Sequence, residues 1–340
     1  MALAANLVKI GVAAAGLVLA LGAWSAYELQ RPLPIAAEGA EVRIAAGTTV
    51  RGIAAQLRAA GIPLQTWEFV LAASVTRTAR SLRAGRYRFE GQTTLLGLLG
   101  KFRRGEVERA QLTVLEGSRF ADLRRLVADS PDLRHDTAGW TEQQILQALG
   151  ASQARAEGLF APDTYAIDPD ASDLELYRLA YRAQQERLQH AWDTRSNGLP
   201  YASPYEALTM ASIIEKETGR EQERGLVAAV FVNRQRLGMP LQTDPTVIYG
   251  LGDEYAGRLH KRDLLRDNPY NTYTRAGLPP TPISLPGRAA IDAALHPDPS
   301  QVLYFVARGD GSSEFSLSLA DHNRAVDRYQ RAGMPRRAGP

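Results

Sequence analysis

Cysteine is absent from this chain of 340 residues. Without thiols the chain can form neither a disulfide framework nor a cysteine-ligated metal site. Its five histidines are spread widely, and none of them forms the HExxH spacing of a helical zinc site. The sequence therefore gives no support to a metal-dependent mechanism, and no metal and no cofactor are expected.

A strong charge of either sign is also missing. The 40 basic and 37 acidic residues leave a net charge of +3, and the basic residues form no concentrated patch. Nucleic acid is therefore not expected as a partner. The hydrophobic fraction of 45% is ordinary for a globular chain, and the length predicts two or three domains.

The one long uncharged run is Ile10–Tyr27, which is rich in alanine, leucine, valine and glycine. Its length is close to that of a membrane span, so it predicts a transmembrane anchor over 10–30 after a short cytoplasmic N-terminus, 1–9. The alternative is a cleaved signal peptide, since small residues around Ala23 and Ser25 suit a peptidase. Both interpretations export the rest of the chain, and the lack of cysteine is compatible with an extracytoplasmic bacterial protein.

The segment 31–40 contains two prolines and is interpreted as a linker. After it, a unit of alternating strand, glycine turn and amphipathic helix occurs at 42–60, 87–103 and 112–128. Units of this kind resemble LysM modules, which bind glycans containing N-acetylglucosamine. We therefore predict a LysM-like α+β domain over 41–130, with a generic α+β domain as the alternative.

The most informative segment is the predicted helix 205–218. Ser203 can cap it, Pro204 suits its first position, and Glu206 completes a capping box. Its spacing places Glu217 at the end of an apolar stripe and turns Glu215 to another face. A carboxyl at the end of a buried stripe loses hydration, which favours its protonated form. Glu217 is therefore the candidate general acid, and the alternative is a glutamate that turns to solvent.

Two irregular segments follow a second predicted helix, 222–237. The segments 241–250 and 268–282 combine amides, hydroxyls, tyrosines and prolines with few large apolar residues. Long irregular segments are often functional, and such donors with aromatic faces suit a hydroxyl-rich polymer such as a glycan. We interpret them as groove walls, with well-ordered structural loops as the alternative. Two strands, 302–307 and 314–319, and a helix, 321–333, close the chain.

Several short motifs occur in order along the second half of the chain. They are Ala211-Ser-Ile-Ile-Glu-Lys-Glu-Thr, Val230-Phe-Val-Asn-Arg, Leu241-Gln-Thr-Asp-Pro-Thr-Val-Ile-Tyr-Gly, Tyr270-Asn-Thr-Tyr, Gly277-Leu-Pro-Pro, His296-Pro, Tyr304-Phe-Val-Ala and His322-Asn. In this order they resemble the pattern of the YceG/MltG family of endolytic peptidoglycan transglycosylases. The resemblance is strong over 157–329. It implies a lysozyme-like helical catalytic domain with a small β-hairpin over 131–335, and an α+β chain overall.

The same resemblance implies a single-pass inner-membrane enzyme with its catalytic domain in the periplasm. It would cleave the β-1,4 bond between N-acetylmuramic acid and N-acetylglucosamine in nascent strands, form 1,6-anhydro ends, and end strand elongation. The family's catalytic glutamate, the second one of Glu-Lys-Glu, lands on Glu217, and Glu215 is a secondary candidate. Peptidoglycan strands and peptidoglycan synthases are the implied partners.

The residues assigned to substrate binding are Gln242, Asp244, Tyr249, Asn271 and Tyr273. Two alternatives to a lytic transglycosylase stay open at this point: a hydrolytic muramidase that uses the same acid with a water, and a glycan-binding scaffold without catalysis.

Overall fold

The fold was examined in a computed structural model, which describes residues 22, 27–45, 47–168 and 171–331. The chain divides into two compact units. Unit 1 takes in the described residues of Met1–Gln111 and Ala166–Ala171, and unit 2 those of Leu112–Tyr165 and Ser172–Pro340. Helices and small two-stranded sheets make up both units, so the predicted α+β class is confirmed.

The described part of unit 1 includes two antiparallel strand pairs and the three helices named next, and residues 27–30 are also helical. The strands are β1 (Pro32–Pro34), β2 (Ala40–Ile44), β3 (Gly85–Phe89) and β4 (Gln92–Thr94), and the helices are α1 (Val50–Ala59), α2 (Thr66–Val75) and α3 (Leu95–Arg104). Strand β1 pairs with β4, and β2 pairs with β3 in a register that places Val42 opposite Tyr87. Thr49 and Thr94 cap α1 and α3 with their hydroxyls, as the predicted strand, turn and helix units require.

An aromatic cluster fills the core of unit 1. The ring of Phe102 on α3 lies 4.4 Å from that of Tyr87 and 6.2 Å from that of Phe69 on α2. The predicted linker 31–40 is not free, because Pro32–Pro34 forms β1 and Leu33 is buried in this core. Prolines tolerate an edge strand, and the apolar side chain between them holds this part of the segment against unit 1.

Unit 2 is mainly helical. Its helices are α4 (Phe120–Ala128), α5 (Glu142–Leu149), α6 (Asp173–Asp193), α7 (Pro204–Glu217), α8 (Glu221–Arg236), α9 (Asp244–Leu251), α10 (Lys261–Leu265), α11 (Arg288–Leu295) and α12 (Leu319–Val326). Its strands include β6 (Leu133–Arg134), β9 (Tyr304–Ala307) and β10 (Ser313–Ser316). Three further strands occur where the chain changes unit: β5 (Ala110–Thr113), β7 (Thr164–Ile167) and β8 (Ala171–Ser172).

The division between the units comes earlier than the predicted boundary at 130/131. Helix α4 belongs to unit 2, where the ring of Phe120 stacks 5.1 Å from that of Phe160 and lies 6.3 Å from that of Tyr177. A strand, turn and helix pattern reflects local structure only. It could not reveal that the third of these predicted segments, 112–128, belongs to the helical unit 2. The likenesses to LysM modules and to lysozyme stay predictions.

Helix α7 runs through the centre of unit 2. It packs against α6, α8, α9 and α11, and every residue from 207 to 214 is buried. Helix α8 follows it after three residues, so both predicted helices are confirmed with nearly the predicted bounds. Strands β9 and β10 form the predicted hairpin, in which Phe305 pairs with Phe315 and meets Phe231 of α8 edge to face.

Most of the predicted anchor, 10–30, lies outside the described residues. Within the described part of the chain, no helix combines the length and the apolar character that crossing a membrane requires.

Candidate active site

Helix α7 begins and ends as its local sequence requires. Ser203 accepts a hydrogen bond from the backbone N–H of Glu206 at 3.3 Å, and Pro204 occupies the first turn. Glu206 accepts from the N–H of Ala202 at 2.7 Å, one residue before the position a capping box predicts. At the other end Glu217 is the last helical residue, and Thr218 is already extended. These signals fix where Glu217 leaves the helix.

The predicted amphipathic pattern of α7 is wrong in one respect, because both of its faces are buried between residues 207 and 214. Burial raises the pKa of Glu217 and also that of Glu215. The direction of the pKa shift therefore does not choose between the two carboxyls. The groups that surround each carboxyl do distinguish Glu217 from Glu215.

Glu217 lies at an open cavity of about 440 Å³. The cavity is lined by several parts of unit 2: the end of α7, helix α8, the loop entering α9 and the first residue of α9, the segment after α10, strand β9, and helix α12 with the turn that follows it. Its lining includes Glu217, Phe231, Arg234, Leu241, Gln242, Asp244, Tyr273, Phe305, Val306, Ala307, His322, Val326 and Gln330. Of the residues predicted to bind substrate, Gln242, Asp244 and Tyr273 lie there with Glu217.

A threonine hydroxyl holds the Glu217 carboxyl. Thr243 donates to Oε1 of Glu217, so one carboxyl oxygen is oriented and Oε2 is left to carry a proton. Burial is the main cause of the raised pKa of Glu217; the Thr243 hydrogen bond opposes it, and the negative charge of Asp244 adds to it. A carboxyl that stays protonated nearer neutral pH beside an open cavity has the properties of a general acid.

Thr243 is itself fixed by a cluster of buried threonines. Its N–H donates to Oγ1 of Thr272 at 3.1 Å, and its carbonyl accepts from Oγ1 of Thr246 at 2.7 Å. The hydroxyls of Thr246 and Thr272 are 2.8 Å apart. The preceding residue, Gln242, has a φ of +54°, a left-handed conformation that costs a non-glycine residue free energy. This strained turn places Gln242 in the cavity and Thr243 against Glu217.

Asp244 and Tyr273 form a second pair at the cavity. The Tyr273 hydroxyl donates to Oδ1 of Asp244 at 2.6 Å. Behind it, Asn271 is buried and accepts from the N–H of Tyr273 at 2.9 Å, while its amide nitrogen donates to the carbonyls of Asp263, Leu264 and Arg266. The predicted sugar contact by Asn271 is therefore not what this geometry provides, because its amide ties the segment of Tyr273 to the end of α10.

Tyr249 also lies elsewhere than predicted, because it does not line the cavity of Glu217. Its hydroxyl donates to Oε2 of Glu157 at 3.1 Å, and its ring lies 4.9 Å from that of Tyr270. Glu157 is buried and accepts from the N–H of Phe120 at 2.9 Å. Burial raises the pKa of Glu157 to about 7. This carboxyl joins the start of α4 to α9 and is a packing group.

Glu215 points to a different neighbourhood. Its Oε2 accepts from the N–H of Gly287, the residue before α11, at 2.9 Å. The Gly287 N–H lowers the pKa of Glu215 and the nearby Glu116 raises it, but burial remains the largest cause. The exposed side chain of Glu116 ends beside Gly287. Glu215 thus caps the start of α11 next to a second carboxylate.

Among the residues that were not predicted as site residues, Arg234 and His322 line the cavity, and Thr243 holds Glu217 beside it. Arg234 donates to the carbonyls of Leu303 and Leu241, and its guanidinium lies 5.0 Å from the ring centre of Tyr304. The His322 ring stacks 5.3 Å from the same tyrosine ring. Burial and the charge of Arg234 lower the pKa of His322, so its imidazole is neutral at neutral pH. All three belong to motifs noted in the sequence, which was the available signal.

Comparison with known proteins gives a consistent result. The model of the YceG-like family matches residues 42–328. A Bacillus subtilis (strain 168) protein named endolytic murein transglycosylase is 32% identical over 270 residues, which is 74% of each chain. A protein of the same name from Streptococcus pneumoniae strain D39 is 27% identical over 337 residues, covering 88% of this chain and 60% of the relative.

The fold has a relative among solved structures. The 2.6 Å crystal structure of a YceG-like protein from Listeria monocytogenes matches with a TM-score of 0.54 at 29% identity. The match covers 84% of this chain and 98% of that one. Since the family model covers most of the chain, including the residues around Glu217, the chain belongs to the YceG-like family.

Proposed function

We propose that this chain is an endolytic murein transglycosylase, a lyase that cuts peptidoglycan glycan strands, with Glu217 as its acid and base. One observation carries the proposal: a carboxyl with a raised pKa, held by Thr243, lies at the open cavity of a YceG-like chain. The names of the Bacillus and Streptococcus relatives supply the substrate class.

In the first step, protonated Glu217 gives its proton to the glycosidic oxygen between N-acetylmuramic acid and N-acetylglucosamine. The bond from the muramyl anomeric carbon to that oxygen breaks, and the N-acetylglucosamine side leaves with a 4-hydroxyl. Positive charge develops on the anomeric carbon as in other glycosidic cleavages. The Thr243 hydroxyl keeps Oε1 of Glu217 in place while Oε2 releases the proton.

In the second step, the muramyl C6 hydroxyl attacks the anomeric carbon and gives its proton to the Glu217 carboxylate. The product is a 1,6-anhydro end, the acid is regenerated, and no water is consumed. Because the nucleophile belongs to the substrate, a second protein carboxylate is not required. Gln242 and the Asp244 and Tyr273 pair would position the sugars, since they offer amide, carboxylate and hydroxyl groups at the same cavity.

The setting in the cell forms part of the proposal. A membrane anchor within 10–30 would hold the catalytic unit at the outer face of the cytoplasmic membrane, in the periplasm. There it would meet nascent strands, end their elongation, and work beside peptidoglycan synthases. The uncharged run Ile10–Tyr27 is the observation that supports the anchor.

The test is a digestion of purified peptidoglycan by wild type and by Glu217→Gln, with mass spectrometry of the released strands. We expect anhydro-muramic ends from the wild type and none from the variant, which retains the shape of the side chain but has no acidic proton. The neutral amide should leave folding intact, and a thermal melt checks this. Reducing ends in place of anhydro ends would indicate a hydrolytic muramidase. Equal strand lengths with both proteins would indicate a scaffold.

A further inference from the structure

Helix α2 of unit 1 has an exposed apolar stripe. Trp67, Leu71 and Val75 are 53%, 47% and 66% exposed, and their spacing of four residues places them on one side of the helix. The other side is buried in the core of the unit through Phe69 and Ala73. Helix α2 is therefore apolar on its exposed side as well as on its buried side. Its exposed apolar face is unfavourable in water.

The stripe borders a shallow groove of about 130 Å³. Its walls are mostly apolar and consist of Glu28, Leu29, Trp67, Glu68, Leu71, Ala72, Val75 and Leu95. Every one of these residues belongs to unit 1. We call this set the α2 groove.

The chain enters the α2 groove directly from its long uncharged run. That run, Ile10–Tyr27, ends two residues before Leu29, and residues 27–30 are helical. At most roughly 7 Å of chain can separate Leu29 from the end of the run. If the run lies in a membrane, the groove must lie at the membrane surface. Tyr27, which is 67% exposed, and Trp67 are the aromatic types that favour this interface.

The charges at the edge of the groove are compatible with a lipid surface. Arg31 forms ion pairs with Glu28 and Glu68, each at 3.4 Å, so both carboxylates that border the groove have a cationic partner and one of their two charges is offset. Arg77, just beyond the end of α2, is exposed and can meet lipid phosphates.

We propose that the α2 groove contacts the lipid bilayer, with Trp67, Leu71 and Val75 inserted at the level of the headgroups. The inference rests on the anchor proposed above and extends it: unit 1 lies on the membrane by a second, non-spanning contact. Such a contact fixes the orientation of unit 1, which a single flexible connection to an anchor would not do.

The lack of cysteine allows a direct test on the full chain. Leu71→Cys, Val75→Cys and, as control, Glu90→Cys at an exposed position of the turn between β3 and β4 each provide one site for a polarity-sensitive fluorophore. Each labelled chain is reconstituted into vesicles of phosphatidylethanolamine and phosphatidylglycerol. Some of the vesicles carry a nitroxide on the lipid chains close to the headgroup.

We expect several-fold stronger nitroxide quenching at positions 71 and 75 than at position 90. Equal quenching at all three positions contradicts the proposal. A label at position 71 that is shielded from water but not quenched would show that residues 1–26 cover the groove. Disulfide-linked dimers of unlabelled Leu71→Cys would show that a second copy of the chain covers it. Either result overturns the proposed contact with lipid. A chain that does not float with the vesicles contradicts the anchor and this contact, but leaves the digestion of peptidoglycan as a separate result.

Discussion

Glu215 and Glu217 stand two residues apart at the end of α7, and their surroundings differ sharply. Glu217 accepts a hydroxyl hydrogen bond from Thr243 and borders a cavity of about 440 Å³. Glu215 accepts a backbone hydrogen bond from Gly287 beside the Glu116 carboxylate and does not line that cavity. The Glu217 carboxyl lies beside space for a substrate, whereas the Glu215 carboxyl is used to accept a backbone hydrogen bond.

The difference shows how little a raised pKa says by itself. Burial raises the pKa of both carboxyls, and it raises that of Glu157 to about 7 although Glu157 joins two helices and faces no described cavity. A shifted pKa identifies a candidate acid only when the group can also reach substrate. Open space and an orienting hydroxyl are what distinguish Glu217.

Thr243→Val gives the largest expected effect short of changing Glu217 itself. The substitution keeps the shape but removes a hydrogen bond to a carboxyl, worth about 1.5–3 kcal/mol, so we expect kcat to fall about 10- to 100-fold. Because that bond favours the charged form of Glu217, its loss raises the Glu217 pKa. The basic limb of the kcat/KM profile should therefore move to higher pH.

Thr243→Ser is the matched control, since it retains the hydroxyl and should restore both the rate and the pH profile. A purely structural role for Thr243 would lower stability in the valine variant and leave the basic limb where it is. The measurement is the initial rate of anhydro-end formation across pH, together with thermal melts of the three proteins.

Glu157→Gln extends the comparison to a carboxyl with a raised pKa outside the cavity. The pKa of Glu157 rises from 4.5 to about 7 on folding, so its contribution to stability is complete below pH 4.5 and is lost as pH rises through 7. The glutamine mimics the protonated form and does not titrate. Wild type should therefore lose stability between pH 4 and pH 8 that the variant does not lose. We expect the difference in unfolding free energy, variant minus wild type, to rise by roughly 2–3 kcal/mol over this range.

Chemical denaturation at both pH values measures this difference. Glu175→Gln, at an exposed position of α6, controls for the loss of a glutamate as such. If the unfolding free energies of wild type and Glu157→Gln changed with pH in the same way, the pKa of Glu157 would not be raised by folding, and the prediction would be contradicted.

Local signals allowed helix α7 to be predicted from sequence. Ser203, Pro204 and Glu206 specify the start of α7 within a few residues, and the helix found there matches the prediction. The β9 and β10 hairpin was predictable for the same reason, because its strands and turn are contiguous.

Features that depend on distant contacts could not be predicted in this way. Helix α4 joins unit 2 through contacts such as those of Phe120 with Phe160 and Tyr177, which follow it by 40 residues or more. Asn271 has the chemistry of a sugar ligand, but its amide nitrogen donates to three carbonyls at the end of α10 and just after it. Arg234 and His322 reach the cavity from α8 and α12, and no periodicity brings those helices together.

The central claim is that the carboxyl at the cavity performs the chemistry and the one beside Gly287 does not. Its most direct test is kcat/KM for anhydro-end formation by Glu217→Gln and Glu215→Gln, measured side by side, with thermal melts to show that both are folded. Loss of the acid should cost Glu217→Gln about 10²- to 10⁴-fold. Glu215→Gln should stay within about tenfold of wild type, because its amide oxygen can still accept from Gly287. Equal losses in the two variants, or a larger loss at Glu215, would contradict the account.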